Sequence, residues 1–209
     1  MKKIIAVNGS PRTGWNTDIL VREAAAGAAS AGAQVEVINL YDLEKFTGCV
    51  SCFGCKTEKH LGKCVCRDGL YEVLEKIRTA DGVILGSPVY LSDITAGLRA
   101  LFERLVFQYI TYKKEVRSYN EKQIPVVLIL TSNVPAESDA ALLERYKGTL
   151  EAFIGPTQTF ACGHTLQINN YDAFNWTMFD PEAKKQRRET VFPQEKRAVF
   201  AMGAQMVKE

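Results

Sequence analysis

The chain has 209 residues, 46% of them hydrophobic and 24% charged, which is an ordinary globular composition. Its formal net charge is only +2, which excludes the strongly basic footprint of a nucleic-acid-binding protein. The apolar runs in the sequence are too short to span a bilayer, so no membrane partner is expected. The length suits one α/β domain with elaborations.

The chain opens with a short apolar run over residues 3–8 that ends in Asn8-Gly9-Ser10. The run is too short for a signal peptide and predicts a buried first strand. With no export signal recognised, we expect a cytoplasmic protein whose six cysteines stay reduced and form no structural disulfides.

Strand and helix patterns alternate along the remaining chain. The predicted strands cover residues 3–8, 34–40, 81–86, 124–131 and 158–167. The predicted helices cover residues 16–31, about 70–77, 94–107, 138–154 and 194–207. Two irregular stretches interrupt the pattern: a cysteine-rich loop over 46–68 and an arm of polar and aromatic residues over 169–192.

This alternation predicts an α/β fold with a parallel sheet covered by helices on both faces. Ligands of such sheets bind beyond the carboxyl ends of the strands, at the point where the strand order reverses. The loops after strands one, three and four, and the cysteine-rich loop after strand two, all open on that edge. We predict a single domain over residues 1–209.

The loop after the first strand carries groups that suit a phosphate. It offers hydroxyls, an amide, a guanidinium and the free N–H groups of a helix start. The loop lacks the Gly-x-Gly-x-x-Gly spacing of a dinucleotide fingerprint and the Gly-Lys-Ser/Thr ending of a P-loop, which argues against ATP or GTP. The alternative is an ordinary capped helix without a ligand.

Four segments together resemble the NADPH-dependent FMN reductases and related flavodoxin-like proteins. They are Gly9-Ser10-Pro11-Arg12 with Asn16-Thr17, then residues 81–90, 96–104 and 198–203. The resemblance implies a flavodoxin-like three-layer sandwich with a five-stranded parallel sheet in the order 2-1-3-4-5. It also implies bound FMN.

The resemblance assigns residues to the two ends of the flavin. The phosphate end would be held by Ser10, Arg12, Asn16 and Thr17, with Pro11 in the same loop. The isoalloxazine would lie along Pro88, Val89, Tyr90, Leu91 and Ser92. Ser132, at the end of the fourth strand, is a further candidate by position.

The cysteine-rich loop has the pattern Cys49-x2-Cys52-x2-Cys55-x8-Cys64-x-Cys66. Three closely spaced cysteines can surround one cluster, with a fourth ligand from further along the chain. The pattern resembles the iron–sulfur flavoproteins, which implies a [4Fe–4S] cluster on Cys49, Cys52, Cys55 and Cys64. The longer gap and the extra Cys66 depart from it, so Cys66 as fourth ligand, a zinc site and free redox-active thiols all remain alternatives.

The arm contains the basic run Lys184-Lys185-Gln186-Arg187-Arg188, which predicts a solvated helix face. Contact of that run with an NADPH phosphate or an acidic partner is the alternative. The aromatic residues of the arm predict packing over the flavin pocket or a neighbouring subunit. The family resemblance implies a homodimer or homotetramer.

The sequence therefore predicts an FMN-dependent oxidoreductase that moves electrons between NAD(P)H, or a reduced carrier protein, and an acceptor. No catalytic acid or base is assigned, because the flavin carries the chemistry. The alternative is an iron–sulfur flavoprotein electron carrier with no nicotinamide site. A third reading is a non-catalytic module whose cysteines bind zinc or sense redox state.

Overall fold

A computed structural model describes residues 1–208; Glu209, the last residue of the predicted domain, lies outside the described residues. Within them the strands are β1 (Lys3–Asn8), β2 (Gln34–Asn39), β3 (Gly82–Tyr90), β4 (Asp93–Ile94), β5 (Val126–Thr131) and β6 (Thr157–Cys162). Five of these strands form a parallel sheet in the order β2-β1-β3-β5-β6, and β4 pairs antiparallel with β3. The predicted strand order is confirmed for the parallel sheet, with β4 as an addition.

Six α-helices lie within the described residues. They are α1 (Asn16–Ser30), α2 (Tyr71–Thr79), α3 (Ala96–Phe107), α4 (Ala140–Phe153), α5 (Pro181–Thr190) and α6 (Phe192–Lys208). The predicted helices each match one of these, and α5 adds a helix inside the arm. Proline in the first turn of α5 and an Asp180 side chain that caps it explain where α5 begins.

Side chains of the central strands alternate between two cores. Ile5 and Val7 of β1 face the core covered by α2, α3 and α4, whereas Ile4 and Ala6 face the core covered by α1 and α6. Strands that are buried on both faces must be apolar throughout, which is why β1, β3 and β5 read as continuous apolar runs. The three layers are helices, sheet and helices, as predicted.

Helices α1 and α6 pack closely through glycine. A Cβ atom at Gly27 would lie 1.9 Å from the carbonyl oxygen of Phe200, and one at Gly203 would lie 1.9 Å from that of Ala24. Only glycine at these two positions therefore permits α1 and α6 to pack so closely. This contact holds α6 beside α1, the helix that starts at the predicted phosphate loop.

The two largest differences from the predicted strand boundaries lie at the ends of β3 and β6. Strand β3 continues past Gly86 because Ser87 and Pro88 pair with β5 and Val89 and Tyr90 pair with β4, and no local pattern signals the pairing with β4. Strand β6 ends at Cys162 rather than at residue 167, so residues 163–167 form a loop. Among residues 1–208, no helix combines the length and apolarity needed to cross a bilayer.

Candidate functional site

A cleft lies at the carboxyl edge of the sheet, where the order turns from β1 toward β2 on one side and β3 on the other. The cleft is open to solvent and has a volume of about 240 Å³. The residues that line it are Ser10, Arg12, Trp15, Asn16, Thr17, Pro88, Val89, Tyr90, Thr131, Ser132, Asn133, Thr165 and Gln167.

Helix α1 begins at the cleft without a side-chain cap. Trp15 occupies the position before the helix, and its side chain accepts no hydrogen bond from the first turn. Within residues 1–208, the amide N–H groups of Thr13, Asn16 and Thr17 donate no hydrogen bond. Free donors and the positive end of the helix dipole make this terminus suited to an anion.

Ser10 and Arg12 also have donors that the protein leaves available. The Ser10 hydroxyl accepts a hydrogen bond from the Arg12 amide at 3.1 Å, so its own hydrogen remains available. The Arg12 guanidinium stacks over the Trp15 ring at 3.7 Å, and within the described residues it forms no hydrogen bond or ion pair. This donor set fits the phosphate of FMN.

Asn16 and Thr17, two other predicted phosphate ligands, already have side-chain partners. The Asn16 amide donates to the carbonyl of Leu166 at 2.8 Å and accepts from Arg188 at 2.7 Å. The Thr17 and Thr131 hydroxyls lie 2.7 Å apart. Asn16 therefore links the start of α1 to the loop after β6 and to α5. The Thr17 hydroxyl can donate to a ligand only when Thr131 donates the hydrogen bond between the two hydroxyls.

The sequence analysis missed a buried network that shapes the loop. The Asp18 carboxylate accepts from the Gly14 amide at 2.7 Å, from Arg22 at 2.9 Å and from the Asn8 side chain at 3.2 Å. Asn8 in turn accepts from the Ser10 amide at 3.0 Å. Asp18 is fully buried, which its sequence position in the first turn of a helix does not signal.

The second wall of the cleft is the end of β3. Pro88, Val89 and Tyr90 line the cleft as predicted for the isoalloxazine. Leu91 and Ser92 form the two-residue tip of the β3–β4 hairpin, with φ angles of +50° and +63°, and they do not line the cleft. Pro11 is exposed and is likewise outside the lining.

The ends of β5 and β6 close the cleft. Ser132, the predicted candidate, lines it together with Thr131 and Asn133. Thr165 and Gln167 line it too, and the sequence analysis missed both. The fifth strand was predicted to continue to residue 167, so both residues were assigned to a strand and not to the loop that follows it. A prediction that ended the strand at Cys162 would have placed them at the edge of the sheet where ligands bind.

The basic run of the arm is only partly solvated, so the prediction of a solvated face is wrong for three of its residues. Lys184 is buried and donates to Asn133 at the cleft. Arg187 forms an ion pair with Glu195 at 2.6 Å, and Arg188 donates to Asn16. The arm therefore packs against the rim of the cleft, one of the two predicted positions.

A second concave site lies in the cysteine-rich loop. Five thiols line one small cavity with largely apolar walls: Cys49, Cys52, Cys55, Cys64 and Cys66. All six cysteines of the chain are free. Cys162, the sixth, is buried in β6 as predicted.

The backbone around Cys52 curls sharply. Ser51 and Phe53, on either side of it, have φ angles of +51° and +55°, in the left-handed region that few side chains adopt. Such alternating conformations turn successive N–H groups toward one side and recur at iron–sulfur sites. The loop conformation therefore fits a cluster that takes a ligand at each cysteine of the Cys-x2-Cys-x2-Cys segment.

Helix α3 supplies polar groups to the same cavity. The Arg104 side chain, 1% exposed, forms an ion pair with Asp68 at 2.6 Å and donates to the Cys64 sulfur at 3.4 Å. Burial acts to lower the pKa of Arg104, but these two partners outweigh it and the net shift is upward. Burial is also the main reason why the pKa of Cys55 and Cys66 is raised, so both thiols are protonated in this state.

The cavity is not a ready single-ion site. Among residues 1–208, no three or more His, Cys, Asp or Glu side chains are grouped so as to hold one metal ion. A tetrahedral zinc site would need four ligands converging on a single atom. A cluster instead takes one thiolate at each of several irons, so its ligands surround a larger body.

The strand order and the cleft at its switch point define a flavodoxin-like α/β protein. Residues 2–167 match the family described as NADPH-dependent FMN reductase. The chain belongs to this family of flavin-binding oxidoreductases.

Curated relatives match about half of the chain. An iron–sulfur flavoprotein of Methanocaldococcus jannaschii is 45% identical over 102 residues, which are 49% of this chain and 51% of that protein. An iron–sulfur flavoprotein of Methanosarcina thermophila is 35% identical over 104 residues, 50% of this chain and 52% of that protein. The chain spans about half the length of the curated relatives it matches.

A solved structure supports the fold over the whole chain. The azoreductase of Bacillus anthracis superposes with a TM-score of 0.67 at 13% identity, covering 98% of this chain and 100% of that one. At this identity the likeness shows the fold alone.

Proposed function

We propose that this chain is an FMN-dependent oxidoreductase that exchanges electrons between FMN in the cleft and a [4Fe–4S] cluster in the cysteine-rich loop. The observation that carries the proposal is the gathering of five thiols in one cavity, in a fold whose cleft has a phosphate loop with an uncapped helix start. Both sites contact α3 or the hairpin just before it, which supports the proposal of a single domain over 1–209.

The chain's own residues would bind and orient the flavin. The Ser10 hydroxyl, the Arg12 guanidinium and the free amides at the start of α1 would hold the phosphate. Asn16 and Arg188 would act by fixing the loop, since their side chains bind each other. Val89, Tyr90 and Ser132 would contact the ring system; bound FMN supplies the electron-accepting chemistry.

Cys49, Cys52, Cys55 and Cys64 would hold the cluster, which supplies one-electron transfer when bound. We assign the fourth ligand to Cys64 rather than Cys66 from their partners. The Cys64 sulfur accepts a hydrogen bond from the Arg104 guanidinium at 3.4 Å, so it already faces a cation. The Cys66 sulfur faces the Asp68 carboxylate at 3.9 Å, which favours a protonated thiol.

A second candidate function uses NAD(P)H to reduce the flavin directly. It is supported by the description of the family and by the rim of the cleft at Tyr90, whose side chain is half exposed. In that case the flavin would receive electrons at the open rim, and the cysteine-rich loop would not take part in the reaction.

Anaerobic purification with iron and sulfide analysis tests the first proposal. We expect about one FMN per chain, about four irons and four sulfides, and bleaching of the flavin absorbance by a reduced ferredoxin. Cys64→Ala should lose the iron, whereas Cys66→Ala should keep it. Absence of iron and sulfide together with rapid bleaching by NADPH or NADH would establish the second candidate instead. A colourless protein that takes up no FMN would overturn both.

We also propose a homodimer or homotetramer. The arm exposes part of an aromatic cluster, with Phe174 and Trp176 stacked at 4.9 Å and each more than two-fifths exposed. Such clusters are enriched at interfaces. Light scattering of the purified chain should give twice or four times the mass of 23.3 kDa.

A further inference from the structure

Helix α3 places two polar side chains one turn apart on the wall of the cysteine cavity. Arg104 and Gln108 are four residues apart, so they share one helix face. Both side chains are buried in a setting that is otherwise made of thiols and apolar groups. Buried polar groups of this kind need partners.

Arg104 is held in one orientation. Its Nη1 donates to Asp68 at 2.6 Å and its Nη2 donates to the Cys66 carbonyl at 2.8 Å. These two bonds fix the planar guanidinium and aim its Nε at the Cys64 sulfur.

Gln108 has one partner and lacks another. Its Oε1 accepts from the Cys64 amide at 3.1 Å, whereas its Nε2 is buried and has no acceptor within residues 1–208. Exchanging the amide oxygen and nitrogen would not resolve this, because two donors would then face each other. The unpaired N–H group is therefore available to an acceptor that the chain itself does not supply.

We propose that Arg104 Nε and Gln108 Nε2 donate hydrogen bonds to sulfur atoms of the cluster site and raise the reduction potential of the bound [4Fe–4S] cluster. The inference rests on the proposed function. Reduction adds one electron and no bond is made or broken, so the reduced cluster is more negative and is stabilised more by a cation and by N–H donors. The electron comes from an external one-electron reductant.

The test is a potentiometric titration of the full-length protein, reconstituted anaerobically with iron, sulfide and FMN and reduced with dithionite. Gln108→Glu keeps an oxygen for the Cys64 amide and replaces only the unpaired donor with an acceptor. Gln108→Leu removes the donor without adding charge. We expect a lower cluster midpoint potential in both variants, with the larger shift in Gln108→Glu, and an unchanged flavin potential.

Arg104→Lys tests the other donor, because it retains the charge but loses the fixed Nε. We expect a lower cluster potential and shifted Fe–S stretching frequencies in the resonance Raman spectrum. Arg78→Gln is the matched control, since Arg78 is an arginine of α2 that pairs with Glu75 and lies outside the lining of the cysteine cavity. It should leave the cluster potential unchanged.

The possible results separate this inference from the function beneath it. Wild-type protein without iron and sulfide would overturn both. A full cluster with the same midpoint potential in wild type, both Gln108 variants and Arg104→Lys would overturn this inference alone.

Discussion

Arg12 stands out at the scale of single residues because its charge has no partner among residues 1–208. Other cations around the cleft are already engaged: Arg188 binds Asn16, Lys184 binds Asn133, and Arg22 binds Asp18. An unpaired guanidinium over an aromatic ring, next to free helix amides, is poised for an anion. The phosphate end of the cleft thus depends on a few uncommitted donors.

Replacing Arg12 by alanine should weaken FMN binding about 10- to 100-fold, since a hydrogen bond to a charged group contributes about 1.5–3 kcal/mol. Riboflavin lacks the phosphate, so its affinity should not change. Fluorescence titration of the apoprotein with both flavins measures this. Lys185→Ala, an exposed lysine paired with Glu182, is the matched control. Equal weakening for FMN and riboflavin would contradict a phosphate role.

Some residues at the cleft act through others rather than on a ligand. Asn16 and Asp18 share this role: each joins segments around the phosphate loop and is fully or nearly fully buried. Motif comparison identified Asn16 but could not show that its amide is occupied by Leu166 and Arg188. Asp18 belongs to none of the motifs and was found only from its contacts.

At the scale of elements, the turn of the β3–β4 hairpin, next to the cleft, holds two residues in the left-handed region. Two positive φ angles in a two-residue turn define a type I′ hairpin, which favours Asn-Gly. Here Leu91 and Ser92 occupy those positions, and Leu91 is fully exposed. Residues in strained backbone conformations lower the stability of the fold and tend to cluster at ligand sites. The position of this turn next to the cleft agrees with that tendency.

Replacing Leu91-Ser92 by Asn-Gly should raise the free energy of unfolding by about 1–2 kcal/mol, because left-handed strain is relieved. The melting temperature should rise by about 2–6 °C, as measured by calorimetry. Ser138→Gly, at an exposed residue with ordinary backbone geometry, should instead lower stability slightly. An unchanged or lower melting temperature for the hairpin variant would show that the turn is not strained.

The hairpin also has a pH-sensitive anchor. Asp93 accepts from Tyr146 at 2.6 Å and lies 3.2 Å from Arg145. Burial acts to raise the pKa of Asp93, but these bonds and the bond from the Ile94 amide outweigh it, and the pKa lies below the usual 3.8. A carboxyl whose pKa is lowered by folding stabilises the folded protein at pH values above its ordinary pKa. That stabilisation is lost as the pH falls through the lowered pKa.

Asp93→Asn should therefore be less stable than wild type by a constant amount above about pH 5, and the difference should shrink as the pH falls below 3.8. Urea unfolding at several pH values between 7 and 3 measures the difference. A gap that is independent of pH would mean that Asp93 contributes through its shape and not through its charge.

At the scale of the whole molecule, the two sites are built from different segments of the chain, and α3 joins them. The cleft is built from the loops after β1, β3, β5 and β6, and the cysteine cavity from the loop after β2. Thr95, which caps α3, accepts from Leu98 and donates to the Gly9 carbonyl in the phosphate loop. Helix α3 therefore connects the phosphate loop, which Thr95 contacts, to the cysteine cavity, which Arg104 lines.

Cys52→Ala should remove iron and sulfide while leaving FMN bound in the same proportion, because Cys52 lies outside the cleft lining. Cys162→Ala is the control: that cysteine is buried in β6 and lies outside the cysteine cavity, so both cofactors should remain. Metal analysis and flavin absorbance on the same samples measure both contents. Joint loss of iron and FMN from Cys52→Ala would show that the sites fold as one unit.

The sequence by itself determined the layered architecture and the edge that carries the cleft, and its resemblance to a known family implied the strand order. Buried strands and helices are recognised from the pattern of residues that are close together in the sequence. Since ligands of parallel sheets bind beyond the carboxyl ends of the strands, that order of elements also indicates which loops form the cleft. Motifs also located Ser10, Arg12 and residues 88–90 at one cleft and five cysteines in one loop.

Only the tertiary structure decided how those groups are partnered. Arg104 meets Cys64 across 40 residues of chain, and Arg188 meets Asn16 across 172. Strand β4 and the positive φ angles of the turn before it likewise arise from pairing with β3, against local preference. Such contacts depend on packing between distant segments, and local propensity and spacing carry no record of them.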